Sequence, residues 1–310
     1  MKKSFVFLTI IILFVFTVGC QKSSSNATTF VTSCYPVHII TLNLVDGVDG
    51  VQVTNMSQSH RGCLHNFQMQ SDDLKNIEKS SAFIINGAGM ENFLDKVVHE
   101  IPNVKIIDSS IGINLMDDCS EHSHCHEHDN CDEDDHDHCC HSYNPHIWTS
   151  VDNYISQVKN VTRGLAVVDP DHKDMYQKNC DTYVQKLTSL KKEMVENLSD
   201  FGGKEIVTFH EAFPYFAKEF GFHIAAVITS EPENEPGAKQ ISDVISTIKE
   251  KNIGCIFVEP QYTCKAAQVI SQETGAKIYT LDPIVTGSDD KNSYIDAMKH
   301  NLETLKKALT

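Results

Sequence analysis

Positive charge is scarce in this 310-residue chain: 26 Lys and Arg stand against 42 Asp and Glu, a formal net charge of -16. With no basic cluster anywhere, nucleic acid is excluded as a partner. Long apolar runs are scarce as well. The most apolar stretch, Phe5 to Val18, is too short for a bilayer-spanning helix, which needs about 20 residues. No GxxxxGK[ST] occurs, so the chain does not cradle and hydrolyse a nucleotide by that route. No HExxH occurs either; His210-Glu211 runs on into Ala212-Phe213-Pro214.

What the chain has in excess is metal-attracting side chains in one place. From Cys119 to His141, 20 of 23 residues are His, Cys, Asp or Glu: seven His (His122, His124, His126, His128, His136, His138 and His141), five Cys and eight acids. Thiolate and imidazole favour zinc-like ions over magnesium or calcium. Such a run has almost no apolar surface to bury, so it is expected to be an accessory, metal-attracting loop, spanning 117–143. It leads directly into Asn144-Pro145-His146-Ile147-Trp148, where core-type residues return.

The N-terminus has the pattern of an export signal. Lys2 and Lys3 precede the apolar run, which stops at Thr17-Val18-Gly19-Cys20 and is followed by a polar tail, Gln21 to Thr29. A Cys after a small residue at the cleavage point resembles the lipobox of bacterial lipoproteins, although Thr17 stands where an aliphatic residue is usual. The expectation is a signal peptide over 1–19 and a lipid-anchored flexible tether over 20–29, acylated on Cys20. That places the protein outside the cytoplasm, on the outer face of a bacterial cell membrane. Cys34, Cys63, Cys180, Cys255 and Cys264 are scattered; export permits disulfides, yet a chain of this length does not need them, and small buried residues are the expectation.

From Thr29 onward, short apolar strands alternate with amphipathic helices. Strands are expected at 30–34, 51–54, 82–86 and 104–107, and helices at 36–45, 71–79 and 91–98. Asp72 and Asp73 sit in the first turn of the second helix, where the helix dipole favours them. Strands separated by helices imply parallel pairing with right-handed crossovers. After Asp169-Pro170, Tyr176, Cys180, Tyr183, Val184, Leu187, Leu190, Met194 and Leu198 recur at three- and four-residue steps, with no breaker before Gly202-Gly203. A helix of about 30 residues would span roughly 45 Å, enough to tie two lobes together. Alternation then resumes, with strands at 205–209, 223–228, 255–258 and 277–281 and helices at 212–220, 236–251, 264–274 and 293–309. The fold class is therefore α/β: two lobes, each with a four-stranded, mainly parallel sheet flanked by helices, joined by one long rigid helix. The expected division is an N-terminal lobe over 30–168, a linking helix over 169–201 and a C-terminal lobe over 202–310.

Open α/β sheets bind ligands beyond the carboxyl ends of their strands. Four metal-type residues lie just after strands: His65, His146, His210 and Asp282. Taken singly, each is an ordinary strand-end or turn residue. Together they are what two lobes contributing two ligands each would supply. Three neutral imidazoles and one carboxylate satisfy tetrahedral zinc and leave a net charge near +1.

These residues, in this order, resemble the zinc/manganese solute-binding lipoproteins of ABC importers (cluster A-I), in their zinc-uptake branch. The resemblance covers nearly the whole mature chain. It is carried by Cys34-Tyr35-Pro36, His65-Asn66-Phe67, Phe83-Ile84-Ile85-Asn86-Gly87, Asn144-Pro145-His146-Ile147-Trp148, Thr208-Phe209-His210-Glu211-Ala212-Phe213, Phe257-Val258-Glu259-Pro260-Gln261 and Leu281-Asp282-Pro283. It implies metal held between two lobes by His65, His146, His210 and Asp282. His210 stands where the manganese branch usually has Glu, which favours zinc as cargo, with manganese possible. The family's usual Pro before the first His and Glu-Pro after it are missing here, which leaves His60 as a substitute for His65, with Cys63 able to approach the metal. Glu259 is expected to orient a ligand imidazole, and Trp148 and Phe213 to pack around the site and keep it dry. The implied role is a binding protein, not an enzyme: a monomer that captures zinc and delivers it to the membrane permease of an ABC importer. The competing readings are a manganese or iron receptor of the same class and an exported zinc hydrolase with Glu211 as base.

Overall fold

The computed structural model describes residues 27–58, 62, 67–117, 142–229, 235–262 and 265–310. The signal, the tether as far as residue 26, Cys20, His60, Cys63, His65, Cys264 and the His/Cys/acid-rich run with its seven histidines lie outside the described residues. The tether expected over 20–29 ends sooner than that, because Thr28 and Thr29 already belong to the first strand.

Two parallel sheets of the same design make up the two lobes. In the first, β1 (Thr28–Thr32), β2 (Val51–Asn55), β3 (Ala82–Ile85) and β4 (Ile106–Asp108) lie in the order β2-β1-β3-β4. In the second, β5 (Glu205–Thr208), β6 (His223–Val227), β7 (Cys255–Val258) and β8 (Lys277–Thr280) repeat it as β6-β5-β7-β8. Every pairing between these strands is parallel. The helices that make the crossovers are α1 (Tyr35–Leu44), α2 (Ser71–Lys79) and α3 (Leu94–Glu100) in the first lobe. In the second they are α6 (Pro214–Phe220), α7 (Ala238–Lys251) and α8 (Lys265–Thr274).

Successive strand residues face opposite sides, and the core divides accordingly. Phe30 and Ile84 of the first sheet, with Ile206 and Phe257 of the second, belong to one apolar cluster that runs between the lobes. Val31, Phe83 and Ile85 face an outer cluster with α2 and α3. Val207, Ile256 and Val258 face another with α7 and α8. The shared inner cluster is built on α4 (Val151–Val168), α5 (Lys173–Leu198) and α9 (Ser293–Leu309).

Helix α5 is the long connector. Short 3₁₀ turns at Pro170–His172 and Ser199–Phe201 flank it, and Tyr176, Cys180, Tyr183, Leu187, Leu190, Met194 and Leu198 form its buried face. That face packs on α1 and α4 of the first lobe and on α9 of the second. Fully burying side chains of this size contributes about 1.5–3 kcal/mol each, so α5 is welded to both lobes along its length and is not a bare rod.

Three features differ from the sequence expectation. Helix α4 occupies 18 residues to which no element had been assigned. Its Val151, Tyr154, Val158, Val161 and Leu165 are buried at helical spacing, with Ser150 capping the N-terminus through Asn153 N at 3.2 Å. The first lobe's third helix begins at Leu94 and not at Glu91, because the Glu91 carboxylate is buried instead, accepting from Ser33 Oγ (2.6 Å), Asn86 N (2.8 Å) and Gly87 N (3.0 Å). Likewise α6 begins at Pro214 rather than Ala212, which leaves His210-Glu211 in a turn. Cys34, Cys180 and Cys255 are buried free thiols, as expected of small core residues. Burial pushes the Cys34 thiol up to about 12 and Cys255 to about 11.

Candidate metal centre

The His146 segment enters from the first lobe and ends in a 3₁₀ turn, Ile147–Thr149, just before α4. His146 is 1% exposed. Its backbone N–H and ring Nδ1 both face Asn144 Oδ1, at 3.0 and 3.1 Å. The amide's other end is fixed: Asn144 Nδ2 donates to the Glu211 carbonyl at 2.7 Å, so Oδ1 is the acceptor toward His146. Nδ1 therefore carries the ring proton and Nε2 the lone pair.

His210 follows β5 directly, in the turn before α6, and is equally buried. Its Nδ1 is hydrogen-bonded to Glu259 Oε1, which lies one residue past β7. A carboxylate only accepts, so Nδ1 is the donor in this bond and Nε2 is the nitrogen through which a cation would bind, as in carboxylate–histidine–zinc arrangements. The second Glu259 oxygen is buried and has no hydrogen-bond partner among the described residues. The two imidazole rings lie 5.1 Å apart, edge to face, and Trp148 packs 5.2 Å from His146. Phe213 is buried at the same end of the second lobe, and Tyr262 sits 6.4 Å from the His210 ring.

Asp282 lies beyond β8 in a strained turn. Ile284, a buried β-branched residue, has a φ of 61°, in a region that L side chains rarely enter and that costs about 1–3 kcal/mol. The turn is held by Ile284 N donating to Asp282 Oδ1 at 2.7 Å and by reciprocal bonds between Asp282 and Asn301, both 2.8 Å. Burial pushes the Asp282 carboxyl above its ordinary value, against the opposing pull of Ile284 N–H, Gln261 and His300. The turn is tied to the histidine pair through Trp148, whose Nε1 donates to the Pro283 carbonyl at 2.6 Å. Among the described residues, no three His, Cys, Asp or Glu side chains form a group able to hold a metal ion. The structure thus brings His146 and His210 together, ties Asp282 to them through Trp148, and does not describe His65.

Sequence reasoning gave no role to Asn144, which orients one histidine and reaches the neighbour of the other. An Asn two residues ahead of His146 with Pro between them was the available signal, since Asx side chains bond backbone two residues on.

Two sheets beyond whose strand ends buried histidines meet, joined by a connecting helix, define a two-lobed solute-binding protein. A family model described as ZnuA, zinc-uptake complex component A, periplasmic, matches residues 30–308, and the chain belongs to that family. The high-affinity zinc uptake system protein ZnuA of Bacillus subtilis is 31% identical over 299 residues, spanning 94% of this chain and 91% of that one. The zinc-binding lipoprotein AdcA of Streptococcus pneumoniae is 28% identical over 317 residues, spanning 99% of this chain but 61% of that longer protein. A crystal structure of ZnuA superposes with a TM-score of 0.75 at 24% identity, covering 92% of this chain and 100% of that one, which shows the shared fold. The family is one of transport components and not of enzymes, which removes the hydrolase alternative.

Proposed function

We propose that the chain captures a zinc ion between its lobes and hands it to the permease of an ABC importer. His65, His146, His210 and Asp282 are the ligands, and Glu259 and Trp148 support them. The observation that carries this is the His146–His210 pair: two buried imidazoles in contact, each with its Nδ1 engaged so that Nε2 keeps the lone pair. Charge supports it too. Glu259 is buried against His210 and Asp282 is partly buried beyond β8, and a divalent cation held there would offset carboxylate charge, the condition under which buried charge is tolerated. Imidazole in place of a second or third carboxylate favours zinc over manganese.

The domain division proposed is a signal over 1–19, a tether from Cys20, where it is lipidated, to the start of β1 at Thr28, a first lobe from β1 to 168, a linking helix over 169–201 and a second lobe over 202–310. Among the described residues no helix is long and apolar enough to cross a membrane. The protein acts as a monomer, and the run of His, Cys and acids within 117–143 raises the local zinc concentration.

The test is metal analysis of mature protein lacking residues 119–141. One tightly held zinc, lost on His146→Ala and displacing manganese in competition, is the expected result. Zinc retained by the His146→Ala form, or manganese outcompeting zinc, overturns the assignment.

A further inference from the structure

The two ends of the His/Cys/acid-rich segment meet at a closed neck. Asp117 and Tyr143 form an antiparallel bridge, and Asn144 N donates to the Met116 carbonyl at 2.9 Å. A single side chain of the other lobe clasps this pair. The Tyr215 hydroxyl, on α6, accepts from Met116 N at 2.9 Å and donates to the Asn144 carbonyl at 2.8 Å. Tyr215 is 3% exposed and packs with Ala88 and Ile147 in a small apolar cluster.

Asn144 then carries the geometry inward, and each of its polar groups is used. Its backbone closes the neck, Nδ2 reaches the carbonyl of Glu211 beside His210, and Oδ1 holds both N–H groups of His146. The path from neck to cleft is therefore one residue long.

We propose that Asn144 and Tyr215 are positioning residues that couple the base of the metal-attracting segment to the histidine pair, so that the neck sets the orientation of the His146 imidazole. This rests on the reading of His146 and His210 as zinc ligands. The Tyr215 hydroxyl bonds both Met116 N and the Asn144 carbonyl, so it fixes where Asn144 stands. Asn144 in turn selects which nitrogen of His146 carries the lone pair. Contacts of this kind to ligand histidines are worth about 10–100-fold in metal affinity.

The experiment uses the full chain and its one tryptophan. Trp148 lies 5.2 Å from the His146 ring, so its fluorescence reports the cleft even when the His/Cys/acid-rich segment also binds zinc. Zinc is titrated against a chelator of known affinity in the parent and in Tyr215→Phe, Asn144→Ala, Asn144→Asp and the Tyr215→Phe/Asn144→Ala double variant. Both single removals are expected to weaken cleft binding by about 10–100-fold. Asn144→Asp, which keeps an acceptor for Nδ1–H, should recover most of the loss. The double variant should be little worse than Asn144→Ala, because the two residues act in series. A general packing role would give additive losses and no rescue, and that pattern overturns the proposal, as does parental affinity in Asn144→Ala. His146→Ala, run alongside, separates the two readings: if it binds zinc at the cleft like the parent, the ligand assignment fails. If it loses the Trp148 response while Tyr215→Phe and Asn144→Ala keep it, only the coupling fails.

Discussion

The two lobes share a strand order, yet they hold their histidines by different means. On the second lobe, His210 stands at the end of a strand and meets a buried carboxylate, Glu259, directly. On the first, His146 lies at the end of a long excursion from β4 and is held by a neutral amide. Behind that amide stands a buried lattice of neutral groups. Asn86 Nδ2 holds the Pro145 carbonyl at 2.9 Å, and Gln157 Nε2 reaches Asn86 Oδ1 (2.9 Å) and Ser109 Oγ (2.8 Å). Asn160 closes the lattice on the Ser109 and Ile111 carbonyls. Charge-assisted hydrogen bonds are roughly twice as strong as neutral ones, so the second lobe holds its histidine through the stronger kind and the first through a network of neutral ones.

The sharpest way to break that comparison is Glu259→Gln. It keeps the shape and removes the charge, and zinc affinity should fall toward the upper end of the 10–100-fold range typical of such partners. Chelator competition reads it, and a loss no larger than that of Asn144→Ala would erase the difference between the lobes. Next comes Asn86→Ala, which strips partners from the Pro145 carbonyl and Gln157 Nε2. It should lower stability by about 1–3 kcal/mol in chemical denaturation, with a smaller effect on zinc than Glu259→Gln.

A third effect is pH dependence in the first lobe. Burial raises the Glu91 carboxyl from 4.5 to about 7, against the hydrogen bonds from Ser33, Asn86 and Gly87. The folded state then binds more protons than the unfolded one between those values. Its stabilising contribution is complete below about 4.5 and is lost as pH rises through about 7. Glu91→Gln should flatten this part of the pH–stability curve; an unchanged slope would show that other groups cause it. The smallest expected effect is at the rim, where Lys291 Nζ meets Asp46 at 2.7 Å with both side chains about half exposed. Lys291→Ala should cost no more than about 1 kcal/mol, and less at high salt.

Much of this was legible in the sequence because two periodicities carry it. The apolar runs at 82–86 and 255–258 read as strands, and strands form at Ala82–Ile85 and Cys255–Val258, buried at every position. The three- and four-residue steps from Tyr176 to Leu198 read as one long helix, as found. The same spacing was present from Val151 to Leu165, but the polar residues between, Gln157 and Asn160 among them, disguised it. They are buried for the lattice described above, so a polar position there is a core position. Glu91 misled for a related reason: an acid in a helix-like pattern gave no sign that the Ser33 hydroxyl, 58 residues back in the chain, and the nearby backbone amides of Asn86 and Gly87 would capture its carboxylate. Strand-end placement singled out His146, His210 and Asp282, whereas the Asn144–Tyr215 link joins residues 71 apart and has no one-dimensional signature.

The central claim, that residues far apart in the chain meet on one ion between the lobes, is tested most directly by anomalous diffraction at the zinc edge. The crystals would be of zinc-loaded protein lacking residues 119–141. A single strong peak about 2.0–2.1 Å from Nε2 of both His146 and His210, with Asp282 and His65 completing the tetrahedron, is the predicted result. A peak bound to neither histidine, or to only one of them, would contradict it.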